Sequence, residues 1–269
     1  MESGFKELSN GKTYYSLEGE GPTVVLIHGI GSPSHSYDFL TKELVGKGFS
    51  VLRYDLYGRG RSAKPLVENN PEFFLNQARE LLDSLNLKSI HAIVSTSLGS
   101  IVTSYLINRS NLFTNKLVFI APAGYPQKLP FLAEVLKIQF IGNFLIHLFG
   151  KKVLTDGVEY NFHNLEFVND LREKNLEQMN EPEFFDSFLS AMNFMPLQTN
   201  SEEFKKLGDR KIPSLLIWGK EDQVIPYENH KLFLKDVDAK FHFIPNCGHM
   251  PQIERAPETA KVIIEFLMN

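Results

Sequence analysis

Short runs of consecutive apolar residues alternate with segments in which apolar residues recur every three or four positions. The continuous runs are TVVLIH (23–28), SVLRYD (50–55), SIHAIV (89–94), NKLVFIAPAG (115–124), PSLLIWG (213–219) and KFHFIP (240–245). Unbroken β-rich runs suit strands covered on both faces, as in a parallel sheet. FKEL (5–8) and KTYYSLE (12–18) read as earlier strands, with a turn at Gly19, Gly21 and Pro22. Helical spacing predicts a helix over 36–48 ending at Gly46 or Gly48, and one over 71–87 with Phe74, Ala78, Leu81, Leu82 and Leu85 on one side. Further helices are predicted over 100–110, around 227–237 and over 256–269. This βαβα order predicts an α/β fold with a mostly parallel central sheet and helices on both faces. Ligands on such sheets gather at the carboxyl ends of the strands.

From about 125 to 210 the pattern changes to helical periods rich in Phe and Asn, with no clear strand. That length far exceeds an ordinary connection. It reads as a helical cap inserted before the strand 213–219, so residues 1–124 and 211–269 are expected to form one core and 125–210 a lid. Within it the stretch 129–152 is apolar nearly all round and ends in Lys151 and Lys152. Its expected role is to pack on the core and roof the pocket; a sharper reading has part of it touching a lipid interface.

Composition narrows the class. The chain has 269 residues, 43% of them hydrophobic, enough for a sizeable core. A net charge of −4 argues against a nucleic-acid partner. No apolar run reaches membrane-spanning length, and no signal peptide is read at the start. One cysteine, Cys247, excludes an internal disulfide and fits a reducing cytoplasmic setting.

The chemistry centres on VSTSLGS (94–100). A nucleophile on a sharp strand-to-helix turn needs small residues two before and two after it. Ser95 would have Ile93, and Ser100 would have Leu98 and Val102, all too large. Ser97 has Ser95 and Gly99, which makes it the workable nucleophile. A serine hydroxyl needs a base and an orienter for that base. Of eight histidines, His249 alone sits in a turn-rich loop directly after a strand, in NCGHMP. The orienting acid is expected after a neighbouring strand, where KED supplies Asp222, with Glu221 beside it as the alternative.

The order Ser97, Asp222, His249 resembles that of the α/β-hydrolase superfamily, and nearly the whole chain carries the likeness. VLIHGIG resembles its loop after the third strand, YDLYGRGRS its D-x-x-G-x-G-x-S loop, STSLG its nucleophile elbow, GKEDQVIP its acid loop and CGHMPQIERAPE its histidine loop. The resemblance implies an oxyanion hole built from the backbone N–H groups of Ile30, which follows His28 and Gly29, and of Leu98. It departs from the pattern at Ser95, where glycine is usual; a tolerated substitution with a locally bonded hydroxyl is expected. The implied activity is hydrolysis of carboxylic esters bearing an apolar acyl or alkyl group, without cofactor or metal. The runner-up is carbon–carbon bond hydrolysis of a ring-cleavage diketone, which would call for cap groups that hold a carboxylate; no arginine pair is evident there. A serine at the elbow disfavours the dehalogenases and epoxide hydrolases of the superfamily.

Rival features weigh less. GIGSPS with Asp55 imitates a dinucleotide fingerprint, but Ser34 replaces the third glycine and Pro33 removes a donor. Gly58-Arg59-Gly60-Arg61-Ser62 reads as tight-turn glycines, not an anion loop, and Cys247 as a packed thiol. A hydrolase-fold protein that binds without turnover is opposed by the complete triad.

Overall fold

The structure is a computed structural model and describes residues 2–127, 135 and 138–269. Eight strands form one sheet: β1 Glu2–Leu8, β2 Gly11–Glu18, β3 Thr23–Ile27, β4 Ser50–Tyr54, β5 Ser89–Thr96, β6 Phe113–Ile120, β7 Ser214–Gly219 and β8 Lys240–Ile244, in the order 1-2-4-3-5-6-7-8. The β1–β2 and β2–β4 pairs are antiparallel, and every pair from β4 through β8 is parallel. The chain turns from β3 toward β4 on one side, then crosses back to lay β5 on the other. That reversal opens a crevice between the carboxyl ends of β3 and β5.

Alternation along the strands sorts the core into two layers. Val24, Leu26, Val94, Val118, Ile120 and Ile217 face α1 (Asp38–Gly46) and the last helix, α10 (Ala256–Met268). Val25, Ile27, Ile93, Leu117, Phe119 and Trp218 face α2 (Pro71–Ser84) and α3 (Leu98–Arg109). Each fully buried aliphatic or aromatic side chain contributes roughly 1.5–3 kcal/mol of transfer free energy. Local signals hold at the ends. Asn70 caps α2 through Phe73 N–H at 3.0 Å, and Gly48, at φ +82°, turns the chain after α1.

The segment between β6 and β7 has no strand among the described residues. It contains α4 (Gln139–Asp156), α5 (Val168–Leu176), α6 (Pro182–Phe194) and α7 (Ser201–Asp209). The second packs Val168 and Leu171 with Val158, Phe162 and Met250, while α4 and α6 share another apolar cluster, in which Ile146, Phe184, Phe185, Phe188 and Leu189 pack together with Met179. α7 does not join it. Its Phe204 is fully buried against Phe119, Tyr125 and Phe233 beside the sheet, the last from α8 (His230–Asp236). Of the apolar stretch 129–152, residues 129–134 and 136–137 lie outside the described residues. Among the described residues no helix is long and apolar enough to cross a membrane.

Candidate active site

β5 ends at Thr96, and Ser97 stands between it and α3 with φ +53° and ψ −119°. A non-glycine residue there is strained, at a cost on the order of 1–3 kcal/mol. Two backbone bonds hold it: Ser97 N–H donates to Ile120 at 3.0 Å, and Ala123 N–H donates to Ser97 at 3.2 Å. The helix begins at Leu98, earlier than the Ser100 start expected from apolar spacing, because the elbow itself is the first turn's cap position.

The neighbours of Ser97 are packed as the turn demands. A β-carbon on Gly99 would stand 2.7 Å from the His28 carbonyl oxygen and closer still to that of Ile27. At the other offset Ser95 is fully buried, with its hydroxyl 3.3 Å from Ser100 Oγ and 3.4 Å from the Val118 carbonyl. A β-carbon on Gly29 would lie 3.3 Å from Ser97 Cβ, so the loop after β3 runs directly beside Ser97. Leu98, as the first residue of α3, has no intrahelical partner for its N–H. Neither it nor the Ile30 N–H donates a hydrogen bond among the described residues. Both N–H groups expected to serve as oxyanion donors are therefore unpaired among the described residues.

Asp222 follows β7 and His249 follows β8. His249 Nδ1–H donates to Asp222 Oδ2 at 2.8 Å, leaving Nε2 to accept a proton. Trp218 Nε1–H donates to the same oxygen at 3.1 Å, while Oδ1 accepts from Val224 N–H at 2.8 Å and Ile225 N–H at 2.9 Å. With every position filled, the carboxylate is fixed in one orientation. Glu221 is occupied elsewhere: its Oε2 accepts from Cys247 N–H at 3.0 Å. Of the two acids, Asp222 is the one whose carboxylate meets the imidazole. Among the described residues no hydrogen bond joins Ser97 Oγ to His249. Such bonds are often long before substrate is bound.

Several supporting groups escaped the sequence reading. Glu254, from the short helix α9 (Pro251–Glu254), is buried and accepts from Gly248 N–H at 2.6 Å and Asn164 N–H at 2.5 Å. His249 N–H in turn donates to Asn161 at 2.8 Å, so the histidine loop is tied to the segment between α4 and α5. His28 is fully buried; its Nδ1–H donates to Gly29 at 2.7 Å, and its Nε2 accepts from Leu56 N–H at 2.9 Å. Burial, partly opposed by Asp55, lowers its pKa to about 4, so the ring is a neutral strut. Burial also raises the Cys247 thiol well above its ordinary range. Asp55, the acid of the dinucleotide-like pattern, is consumed internally by Ser34 N–H at 2.9 Å, Ser34 Oγ at 2.6 Å and Arg61 N–H at 2.9 Å. Pro33, which lacks an N–H, stands before the 3₁₀ turn Ser34–Tyr37 that leads into α1, so it offers no donor at that helix start. An open groove of about 410 Å³ beside the histidine loop is lined by His163, Phe167, Asn246 and Arg255 among others, not by Ser97.

Comparison with known proteins places this geometry. The family model described as serine aminopeptidase, S33, matches residues 21–256. A 2-hydroxy-6-oxononadienedioate/2-hydroxy-6-oxononatrienedioate hydrolase of Comamonas testosteroni is 24% identical, covering 98% of this chain and 94% of that protein. The hydrolase of the same name from Paraburkholderia xenovorans is 26% identical, covering 95% and 90%. The crystal structure of a bromoperoxidase from Bacillus anthracis superposes with a TM-score of 0.85 at 21% identity, covering all of both chains. With the sheet order, the elbow and the family match in agreement, the chain belongs to the serine aminopeptidase S33 family of α/β hydrolases.

Proposed function

We propose that the protein is a serine hydrolase that attacks a carbonyl carbon through Ser97. The observation that carries the reading is the positive-φ serine beside the Gly29 loop, with the Asp222–His249 pair formed at the neighbouring strand ends. In this reading His249 Nε2 takes the Ser97 proton as Oγ adds to the carbonyl. Asp222 holds the imidazole and stabilises its cation, and the Ile30 and Leu98 N–H groups receive the oxyanion. Collapse expels the leaving group, which takes the proton from His249; water then releases the acid and restores Ser97. Helices α4–α6 form the cap in this proposal, and α7 counts with the core because of Phe204.

For the bond broken, carbon–carbon cleavage comes ahead of the ester expected from sequence. The similar proteins are named hydrolases of 2-hydroxy-6-oxo-dienedioates. Such an acid contains no ester; the bond open to hydrolysis lies beside its ketone, where the leaving carbon is stabilised through the conjugated 2-hydroxydienoate after proton transfer. Ester hydrolysis is the second reading, favoured by one observation: Ile30 packs on the apolar cluster of Phe184, Phe185 and Phe188, so an apolar wall adjoins the carbonyl position. Arg172, the one arginine from α4 to α6, is spent on Thr155 and Asn169. Hydrolysis of 2-hydroxy-6-oxo-6-phenylhexa-2,4-dienoate, followed by loss of its absorbance, is to be compared with a p-nitrophenyl ester series. A kcat/KM at least ~10-fold higher for the dienoate supports carbon–carbon cleavage; the reverse ranking supports the ester. Equal turnover of either by Ser97→Ala removes the whole proposal.

A further inference from the structure

Arg59 is a buried cation, 1% exposed, without a carboxylate within ion-pair distance among the described residues. Its guanidinium instead ties three segments together. Nε–H donates to the Ile30 carbonyl at 2.9 Å, and Nη1–H donates to Ser187 Oγ on α6 at 2.9 Å and more weakly to Tyr57 at 3.4 Å. The Phe188 ring lies 5.9 Å from the guanidinium carbon, and Nη2 has no partner. Burial pushes its pKa down to about 9, so the group still carries its charge at neutral pH.

The next two residues of the same loop are held from the same side. Gln178 Nε2–H donates to the Gly31 carbonyl at 3.1 Å, while its Oε1 accepts from Gly60 N–H at 2.9 Å. Asn175 Nδ2–H donates to Ser32 Oγ at 3.3 Å. Close approach is built in at Gly58, where any β-carbon would collide with the Ser187 hydroxyl. Residues 30, 31 and 32 are thus each bonded to the helical segment directly or through one guanidinium.

We infer that Arg59 and Gln178 are positioning residues that make the oxyanion loop and the cap one mechanical unit, so that the Ile30 donor is in register only while α5 and α6 are docked. The inference rests on the serine-hydrolase reading, and it adds a coupling: releasing the Arg59 and Gln178 bonds misaligns the Ile30 donor while the Asp222–His249 pair keeps its own hydrogen bonds. Removing an oxyanion donor outright costs about 10²–10³ in kcat, so misaligning one is expected to cost ~10-fold or more.

The test uses Arg59→Lys, Gln178→Ala and Gln178→Glu in the full chain. Glutamate can still accept from Gly60 but cannot donate to Gly31. Three quantities are read: kcat against KM, affinity for a boronic acid that mimics the oxyanion, and affinity for a neutral alcohol inhibitor that does not. Expected is a ~10-fold or greater fall in kcat and in boronate affinity, with KM and alcohol affinity within about threefold, and Gln178→Glu as impaired as Gln178→Ala. Folding is checked by Tm, and the Gln178 variants decide if Arg59→Lys fails to fold. Unchanged kcat in folded variants, or equal losses of boronate and alcohol affinity, overturns the inference. Failure of the wild-type protein to bind the boronate overturns the serine-hydrolase reading instead, which keeps the two apart.

Discussion

Replacing Gly99 with alanine presses on the contact that brings the elbow against the end of β3. The added β-carbon would meet the carbonyl oxygens of His28, at 2.7 Å, and of Ile27, nearer still. Both belong to the backbone that leads into Gly29 and Ile30, so neither can rotate aside. Restoring ordinary contact at 3.4 Å requires the elbow and the strand end to separate by roughly 1 Å. That movement displaces Ser97 relative to the Ile30 donor, and a misplacement of about 1 Å can cost on the order of 10²-fold in rate. Overpacking of this kind also destabilises by about 1–3 kcal/mol, which lowers Tm by roughly 2–10 °C in a chain of this size. The assay is kcat at saturating substrate beside a thermal melt, with Ser95→Gly as the control. Position 95 already carries a side chain without conflict, so that change should leave kcat within about threefold. A Gly99→Ala protein with wild-type Tm and kcat would refute the argument that this close approach sets the site.

The remaining predictions concern the groups around it. Asp222→Asn should keep the fold yet lower kcat on the order of 10⁴-fold, since the amide cannot accept from His249, Trp218 and two backbone N–H groups in the same orientation; steady-state kinetics on the folded variant measure it. Stability should fall as pH drops from 6.5 toward 4, because the unfolded chain protonates His28 in that window while the folded chain, with a pKa near 4, does not. The full contribution is about 3 kcal/mol, constant above the window, and urea midpoints of wild type and His28→Gln against pH report it. Cys247, fully buried with its thiol raised by burial, should react with a disulfide reagent only as fast as the protein unfolds; rapid native-state labelling would contradict that.

Much of the site was legible because its rules are local. The ±2 offsets around Ser97 separate it from Ser95 and Ser100 without any tertiary knowledge, and the turn-rich loops after β7 and β8 mark Asp222 and His249 by strand-end position. The choice between Asp222 and Glu221 was not local. It is settled by Trp218, Val224 and Ile225 on one acid and Cys247 on the other. Arg59 looked like a turn residue because its partners lie in distant parts of the chain, at Ile30 and Ser187, and no periodicity links them. The same reason hid α7: its amphipathic pattern demands a packing partner but does not say that Phe204 chooses Tyr125 and Phe233 over the cap. Glu254 gave no signal beyond being an acid in a loop motif, since its acceptors' partners, Gly248 and Asn164, are set by tertiary packing.

The most direct test of the central claim is the position of a fluorophosphonate adduct. The strained backbone at Ser97, the Gly29 loop beside it and the His249–Asp222 pair predict one adduct per chain by intact mass, mapped to Ser97 and absent from Ser97→Ala. An adduct on Ser95 or Ser100, or full labelling of Ser97→Ala, would contradict the assignment of the nucleophile and everything built on it.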